Sequence, residues 1–573
     1  MALAAANIID VRTGGNDANA GAFNPANANF PTDGTVDTNT GNTASPVFSS
    51  ASYNFVTGDI GAWLFIKSGT NSIPGWYQIA SVGSNKATLT ASAGSAMLMS
   101  NNLPVSLNTA AGIATVGTPT GLTWGVDYSQ QNSAQYSVTD LNILSTTTFQ
   151  SSAGSIGKNW VGNIINVTNA NGSGATLKRY EVVSTSGTTA TVDSTFGTAS
   201  GTGLSATMGG GLALPGLASG IMVEGNTCFL KYNATAYELT TTTPRVSGGP
   251  FLPTVGGYTA WSRLIGYDTT RTVANTDTNR PTIKVPAAGV TSITVVGCGT
   301  SFTMWMFRNI IVDGNSKSTI RGFAYAGGSG HFVRCKAANC TNSGFYCNFA
   351  VACEATGCAT AGAGFNVPNG AGSFFGCWSH DNAVSGFIGV EPNYAFCVAS
   401  DNTGVGFDST QFGIFTNCTA WNNTSHGFSC NYWRENGAAN CLAVNNGTSG
   451  TVYGFNLGGT QANMGVLVNC AGYGNRTANY GGQTNADTQI LSFVALTGDP
   501  FTNAAGDDFS LNNTAGAGAA CRAAGFPGAF PGGTTTGYLD IGAAQHQDAG
   551  GGSAGPRFGQ HGNGPSFSGR LAV

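Results

Sequence analysis

Two hexapeptides, CWSHDN from Cys377 to Asn382 and CVASDN from Cys397 to Asn402, carry the residues best suited to chemistry. Asp381 and Asp401 hold the same place in each, and His380 sits beside the first. If equivalent positions stack at the ~5 Å spacing of adjacent strands, the two carboxylates are placed to share a proton, bind calcium, or divide acid and base roles at a glycosidic bond. The same place is filled further on by Asn422 and Asn445, so a turn residue bonding to local backbone also accounts for both aspartates. Lys336 and Glu354 share another such column and read as a cross-coil ion pair.

A second group lies in NYWREN, Asn431 to Asn436, just after Trp421 and His426. Trp421, Tyr432, Trp433, Arg434 and Glu435 together offer flat apolar faces and directional hydrogen bonds, which a sugar needs. The same residue types also anchor subunit interfaces. Asp17, Asn19 and Gly21 in the opening segment suit either a calcium turn or an Asx turn, and no downstream acidic ligand follows them.

Stacking requires a repeat, and the sequence has one. Gly-Phe pairs recur at Phe323, Phe345, Phe365, Phe387, Phe407, Phe428 and Phe455, at intervals of 22, 20, 22, 20, 21 and 27 residues. Cys335, Cys377, Cys397 and Cys418 each stand ten residues before a Phe of this set, while Cys353 and Cys441 keep the pattern with small insertions. Five residues after each cysteine comes a column read as Cys340, Cys358, Asn382, Asn402, Asn423, Asn446 and Asn475. A step this short excludes paired helices, and the L-x-x-L-x-L spacing of leucine-rich repeats is missing, which leaves the coil of a parallel β-helix. There Phe stacks inside, Gly permits a tight corner, and Asn tolerates left-handed turns while its amide bonds to neighbouring coils.

This pattern makes most of the 14 cysteines small buried apolar residues. Zinc ligation by Cys335, Cys340, Cys347, Cys353 and Cys358 lacks a paired C-x-x-C arrangement. Adjacent coils nevertheless bring Cys335 and Cys353, or Cys340 and Cys358, within disulfide reach.

Around the repeat the chain divides into an opening segment at 1–44, a duplicated region at 45–210, a solenoid at 211–495, a cap over the last coil at 496–545 and a Gly-rich arm at 546–573. The duplication is direct: Trp76–Gly94 matches Arg179–Gly197 at a constant offset of 103, implying two small β modules. Between them Asp127–Ser137 reads as a polar connector or contact surface. The cap is expected because an uncovered parallel edge invites other chains.

With Gly 85 and only 8% charged residues, turn-rich β structure is expected rather than amphipathic helices. Net charge is -4 without any Lys/Arg cluster, so nucleic acid and anionic membranes are not expected partners. No run approaches the roughly 18–20 apolar residues of a spanning helix. The opening MALAAANIID lacks a basic region, which argues against Sec-dependent export.

VRTGGNDANAGAF, FRNIIVDGNS, and GDDFSLNNTAG with YLDIGA resemble the opening, early coils and ending of pectate-lyase-like right-handed β-helix proteins. The whole arrangement is most similar to phage tailspike or fibre-type virion proteins. The resemblance spans roughly 211–545 plus the opening, and implies an all-β chain: a right-handed parallel β-helix preceded by two β modules. It leaves activity open, since the superfamily includes lyases, hydrolases, epimerases, adhesins and virion spikes. The expectation drawn is a structural protein of a virion or extracellular assembly. It would self-associate, with a trimer as one form, dock to other assembly proteins through its N-terminal modules, and meet a surface polysaccharide, with no cofactor other than calcium considered. A polysaccharide lyase or hydrolase acting through His380, Asp381 and Asp401 is the alternative, and a non-viral cell-surface adhesin a third.

Overall fold

The computed structural model describes residues 6–37, 46–70, 72, 74–90, 119–244, 248–253, 259–268, 271, 279–298, 304–325, 329–359, 362–368, 371–430, 437–458, 466–482, 489–522, 524–525 and 540–545. Regular structure among them is almost all β, with α-helical turns at Pro215–Ile221 and Gly518–Cys521. The chain forms two compact units, Met1–Thr235 with Arg245–Gly249 and Thr259–Ala274, and Ala236–Pro244 with Pro250–Tyr258 and Asn275–Val573.

In the first unit the duplication is visible in the backbone. Trp63–Thr70, Gly75–Gly83, Lys86–Thr90 and Thr120–Asp127 belong to a 6-stranded antiparallel sheet; Ile164–Asn169, Arg179–Ser186, Thr189–Val192 and Gly201–Met208 take corresponding places in a closed barrel. Each copy starts from a 3-10 turn, Thr57–Asp59 or Lys158–Trp160. A glycine at positive φ follows, Gly61 at 84° or Gly162 at 80°, a conformation closed to most side chains. Its N–H bonds to Ile79 O in one copy and Val182 O in the other, both at 2.8 Å. Trp124, Tyr128, Trp160 and Tyr180 sit in a single core shared by both copies.

The expected surface connector is in fact buried at its start: Tyr128 and Ser129 are inaccessible, and Asp127 accepts from Trp76 Nε1 at 3.1 Å and Arg271 Nη1 at 2.8 Å. Polar composition misled here because the polar groups satisfy one another internally. Ile8–Val11 of the opening segment also forms a strand, paired in parallel with Thr227–Lys231, which in turn pairs with Ser262–Tyr267. Asp10 on that strand is buried between Arg12 at 2.8 Å and Arg271 at 3.0 Å.

The second unit is a right-handed parallel β-helix. Coil by coil the chain contributes one strand to each of three parallel sheets, for example Ala371–Phe375, Trp378–His380 and Phe387–Gly389, then Glu391–Ala395, Val398–Ser400 and Phe407–Ser409. Successive Phe rings of the repeat stack at centroid distances of 4.7–4.9 Å with interplanar angles of 4–11°. Asn382, Asn402, Asn423, Asn446 and Asn475 form a ladder in which each Nδ2 donates to the next Oδ1 at 2.8–2.9 Å. All fourteen cysteines are free thiols, and those of the ladder are buried.

Two expectations about the corners take a different physical form. The glycine before each Phe is required by close approach: a Cβ on Gly406 would stand 2.7 Å from Gly427 O of the next coil. Left-handed backbone belongs not to the ladder asparagines but to the residue before them, with φ of 53° at Asp381, 54° at Asp401, 49° at Asn422 and 55° at Asn445.

The described part of the C-terminal segment lies along the second sheet as well as against the last coils. Phe501, Phe509, Leu511, Cys521 and Ile541 pack with Trp378, Val398, Trp421, Leu442 and Val444, the outward residues of the second sheet. Ala543 N donates to Thr419 Oγ1 at 2.9 Å, and Asn417 Nδ2 to Asp540 O at 2.7 Å. These outward columns are Trp, Val and Leu, and the described part of the segment buries them together with Ala471 and Val494 of the last coils. Tyr480 and Leu491 on the last coil stay 38% and 49% exposed.

Candidate functional site

Where the C-terminal segment ends its cover of the second sheet, ionisable groups gather. Strand residues here alternate, so Ser379 points inward while Trp378 and His380 point outward. His380 lies flat on Trp378, ring centroids 3.7 Å apart and 19° from parallel. Its Nδ1 is 2.7 Å from Asp381 Oδ2 and its Nε2 is 3.2 Å from Glu354 Oε1 on the preceding coil. Lys336, one coil further back in register with Glu354, places Nζ 2.6 Å from the same Oε1. Arg280 Nη2 stands 3.9 Å from Glu354 Oε2.

The electrostatics follow from this packing. Burial works against the charge on Glu354, yet the hydrogen bond from His380 and the ion pair with Lys336 outweigh it and hold the carboxyl at about 2. For His380, burial likewise favours the neutral ring, but its bonds to Glu354 and Asp381 prevail and raise its pKa above the ordinary value. In the protonated ring both nitrogens donate, one to each carboxyl group.

Asp401 behaves oppositely. Burial raises its carboxyl; Asn422 Nδ2, donating at 2.6 Å, opposes this, and the charge of Asp381 adds to it. Asp507, from the C-terminal segment, is raised by burial first, lowered by the charge of His380, and raised by Asp381 and Glu354. The patch thus combines the Lys336–Glu354 ion pair with a histidine whose charged form its neighbours favour and two acids whose protonated form burial favours.

The structure brings together three of the residues that the sequence nominated, His380, Asp381 and Asp401. Asp381 and Asp401 are also members of the left-handed column, their N–H groups bonding to Ser400 O and Trp421 O. Trp421 requires a correction: it is only 9% exposed and packs edge-on against Phe509 at 5.8 Å, so it offers no face to a ligand. The covering segment lies about a hundred residues downstream, which local composition does not reveal. Tyr432, Trp433, Arg434 and Glu435 lie outside the described residues. In the first unit, Asn19 Nδ2 donates to Gly211 O at 2.9 Å and Asn132 O at 3.1 Å, while Asp17 Oδ1 accepts from Ala213 N at 3.3 Å. Among the described residues no group of three His, Cys, Asp or Glu is arranged to hold a metal ion.

The column of Lys336 and Glu354 forms the ion pair expected from the sequence, though its contact with His380 was not foreseen, and Arg280 and Asp507 were not nominated. The register of Lys336, Glu354 and Trp378 was available from the repeat; the approach of Asp507 was not.

No protein-family model matches the chain, and no curated protein matches it. Several solved structures do. The A-module of Azotobacter vinelandii mannuronan C-5 epimerase AlgE4 is 15% identical over 50% of this chain and 77% of its own, with a TM-score of 0.28. ORF18 of Geobacillus virus E2 is 14% identical over 48% of this chain, at a TM-score of 0.27, and the match spans 55% of that protein. The catalytic domain of a GH87 alpha-1,3-glucanase is 9% identical over 62% of this chain and 89% of its own, at 0.25. At such scores these likenesses carry no argument about activity, and the fold stands on the strand pairing itself.

Proposed function

We propose that this protein is a β-helical component of a virion or other extracellular assembly that engages a surface polysaccharide on the outer face of its second sheet. The observation that carries the polysaccharide reading is the convergence of Arg280, Lys336, Glu354, His380, Asp381, Asp401 and Asp507 in a chain with only 8% charged residues. Oriented donors and acceptors held by a rigid sheet suit a hydroxyl-rich polymer, because little ordering is left to be done on binding. The assembly role is supported by the whole arrangement, N-terminal β modules followed by a β-helix, which resembles that of phage virion proteins.

A second reading, cleavage of that polymer, is favoured by the raised carboxyls of Asp401 and Asp507. In it Asp401 gives its proton to the glycosidic oxygen while Asp381, 64% exposed at its side chain, takes one from the attacking water.

One experiment addresses both. The full chain is incubated with a panel of neutral and acidic polysaccharides, and co-sedimentation and new reducing ends are measured. Binding weakened about tenfold by Lys336→Ala supports engagement. Products that vanish in Asp401→Asn while binding persists support cleavage. Absence of binding to every polymer, with the wild-type fold intact, overturns the proposal.

A further inference from the structure

The first unit contains a cavity of about 590 Å³ walled by the loop Ser52–Val56 of one module copy and the loop Ser155–Asn159 of the other. The loops come from corresponding regions of the two copies, Ser52–Val56 ending just before the 3-10 turn Thr57–Asp59 and Ser155–Asn159 running into the turn Lys158–Trp160. The cavity volume falls within the range of about 300–1,000 Å³ that small-molecule sites occupy.

The floor is polar and specifically organised. Two equivalent positions have diverged here, Gly58 against Asn159 and Asp59 against Trp160. Tyr53 Oη donates to Asp59 Oδ2 at 2.8 Å, and Tyr128 Oη donates to Asp59 Oδ1. Asn159 Nδ2 donates to Tyr128 Oη at 2.7 Å and to Tyr136 Oη at 3.0 Å. This uses both protons of the Asn159 amide but leaves its Oδ1 buried without a partner. Tyr136 accepts from Asn159, so its own proton can turn to a ligand. That hydroxyl, beside a partly exposed ring at the cavity wall, suits a ligand rich in hydroxyls.

The rim narrows the class. Tyr53 and Tyr136 supply partly exposed rings, Ser155 and Ser186 supply hydroxyls, and the one cation of the lining, Lys158, is matched by the Asp59 carboxyl behind the floor, so no net charge selects an ion. We propose that this cavity binds a neutral saccharide, one sugar hydroxyl bonding to Tyr136 Oη at its wall. The site is independent of the charged patch on the β-helix.

The test titrates the full chain with glucose, galactose, mannose, N-acetylglucosamine and their β-linked disaccharides, using saturation-transfer NMR and calorimetry. Saturable binding by one of them is expected, weakened at least tenfold by Tyr136→Phe, which removes the donor and keeps the ring. Ser186→Trp, placed on an exposed hairpin tip, fills the cavity without touching the buried network and should also weaken binding at least tenfold. Asp401→Asn should leave this binding unchanged, which separates the site from the polysaccharide face. No saturable binding by any of these sugars, or binding indifferent to both cavity variants, overturns the proposal.

Discussion

His380 Nε2 lies 3.2 Å from Glu354 Oε1 across one coil of the β-helix, while its other nitrogen faces Asp381. The pair links pH to stability with opposite signs at the two ends of the scale. His380 is raised from an ordinary 6.5, so its contribution is fully present below that pH and is lost as pH rises through the higher folded value. Glu354 falls from an ordinary 4.5 to about 2, so its contribution is present above 4.5 and is lost as pH falls toward 2. Thermal melts across pH should show highest stability between these ordinary values. His380→Asn should flatten the alkaline limb; an alkaline limb identical in both proteins would count against the bridge.

The Asn ladder should be more costly to break than its neutral chemistry suggests. Asn402 donates from Nδ2 to Asn423 Oδ1 at 2.9 Å, and its own Oδ1 accepts from Asn382 Nδ2 at 2.8 Å and Asn382 N at 3.2 Å. Asn402→Ala takes the acceptor from Asn382 N and from one proton of Asn382 Nδ2, at about 1–3 kcal/mol each, while Asn423 Oδ1 keeps the backbone N–H of residue 402. Denaturant unfolding should register a loss of about 2 kcal/mol or more. A change under 0.5 kcal/mol would mean that the ladder decorates the fold without supporting it.

Gly406 should tolerate no side chain. An added Cβ would meet Gly427 O at 2.7 Å and Asn423 Nδ2 at 2.8 Å, both belonging to the next coil. Gly406→Ala should destabilise by about 1–3 kcal/mol, as overpacking does. Gly450, at φ 70° with nothing near its Cβ position, is a control where only backbone strain is felt. Equal effects at the two sites would deny the close-packing account.

Much of this was legible because a solenoid repeats its own evidence. Each Phe, Cys and Asn column was sampled several times, so spacing alone set the coil and the strand register. The duplicated modules were legible for the same reason, Trp76–Gly94 repeating as Arg179–Gly197. Features that occur once were not. Asp507 feels the charge of His380 and Trp421 is covered by Phe509 through long-range docking of a segment with no partner pattern. Asp127 and Tyr128 looked exposed because buried polar residues that satisfy one another have the composition of a surface loop.

Arg271 should be among the most sensitive positions of the first unit. Its guanidinium, 2% exposed, pairs with Asp10 at 3.0 Å and Asp127 at 2.8 Å, two carboxylates that are themselves inaccessible. Arg271→Leu strips a cation from both, and breaking a buried pair from one side costs about 3–5 kcal/mol. Asp127→Asn removes one charge and keeps the shape, so it should cost less. The reverse order in chemical denaturation would contradict the pairing.

Asp401 separates fold from chemistry. Its backbone is left-handed at φ 54°, and Asn422 and Asn445 occupy the same column at 49° and 55°, so asparagine is already proven there. In Asp401→Asn the amide oxygen can still accept from Asn422, and one source of repulsion with Asp381 disappears. Stability should therefore stay within about 0.5 kcal/mol of wild type, as for surface substitutions that break no special feature. If cleavage uses the Asp401 proton, product formation should fall about 100-fold or more, as expected on losing a general acid. A variant that melts like wild type and still releases products at the wild-type rate makes Asp401 a turn residue and nothing else.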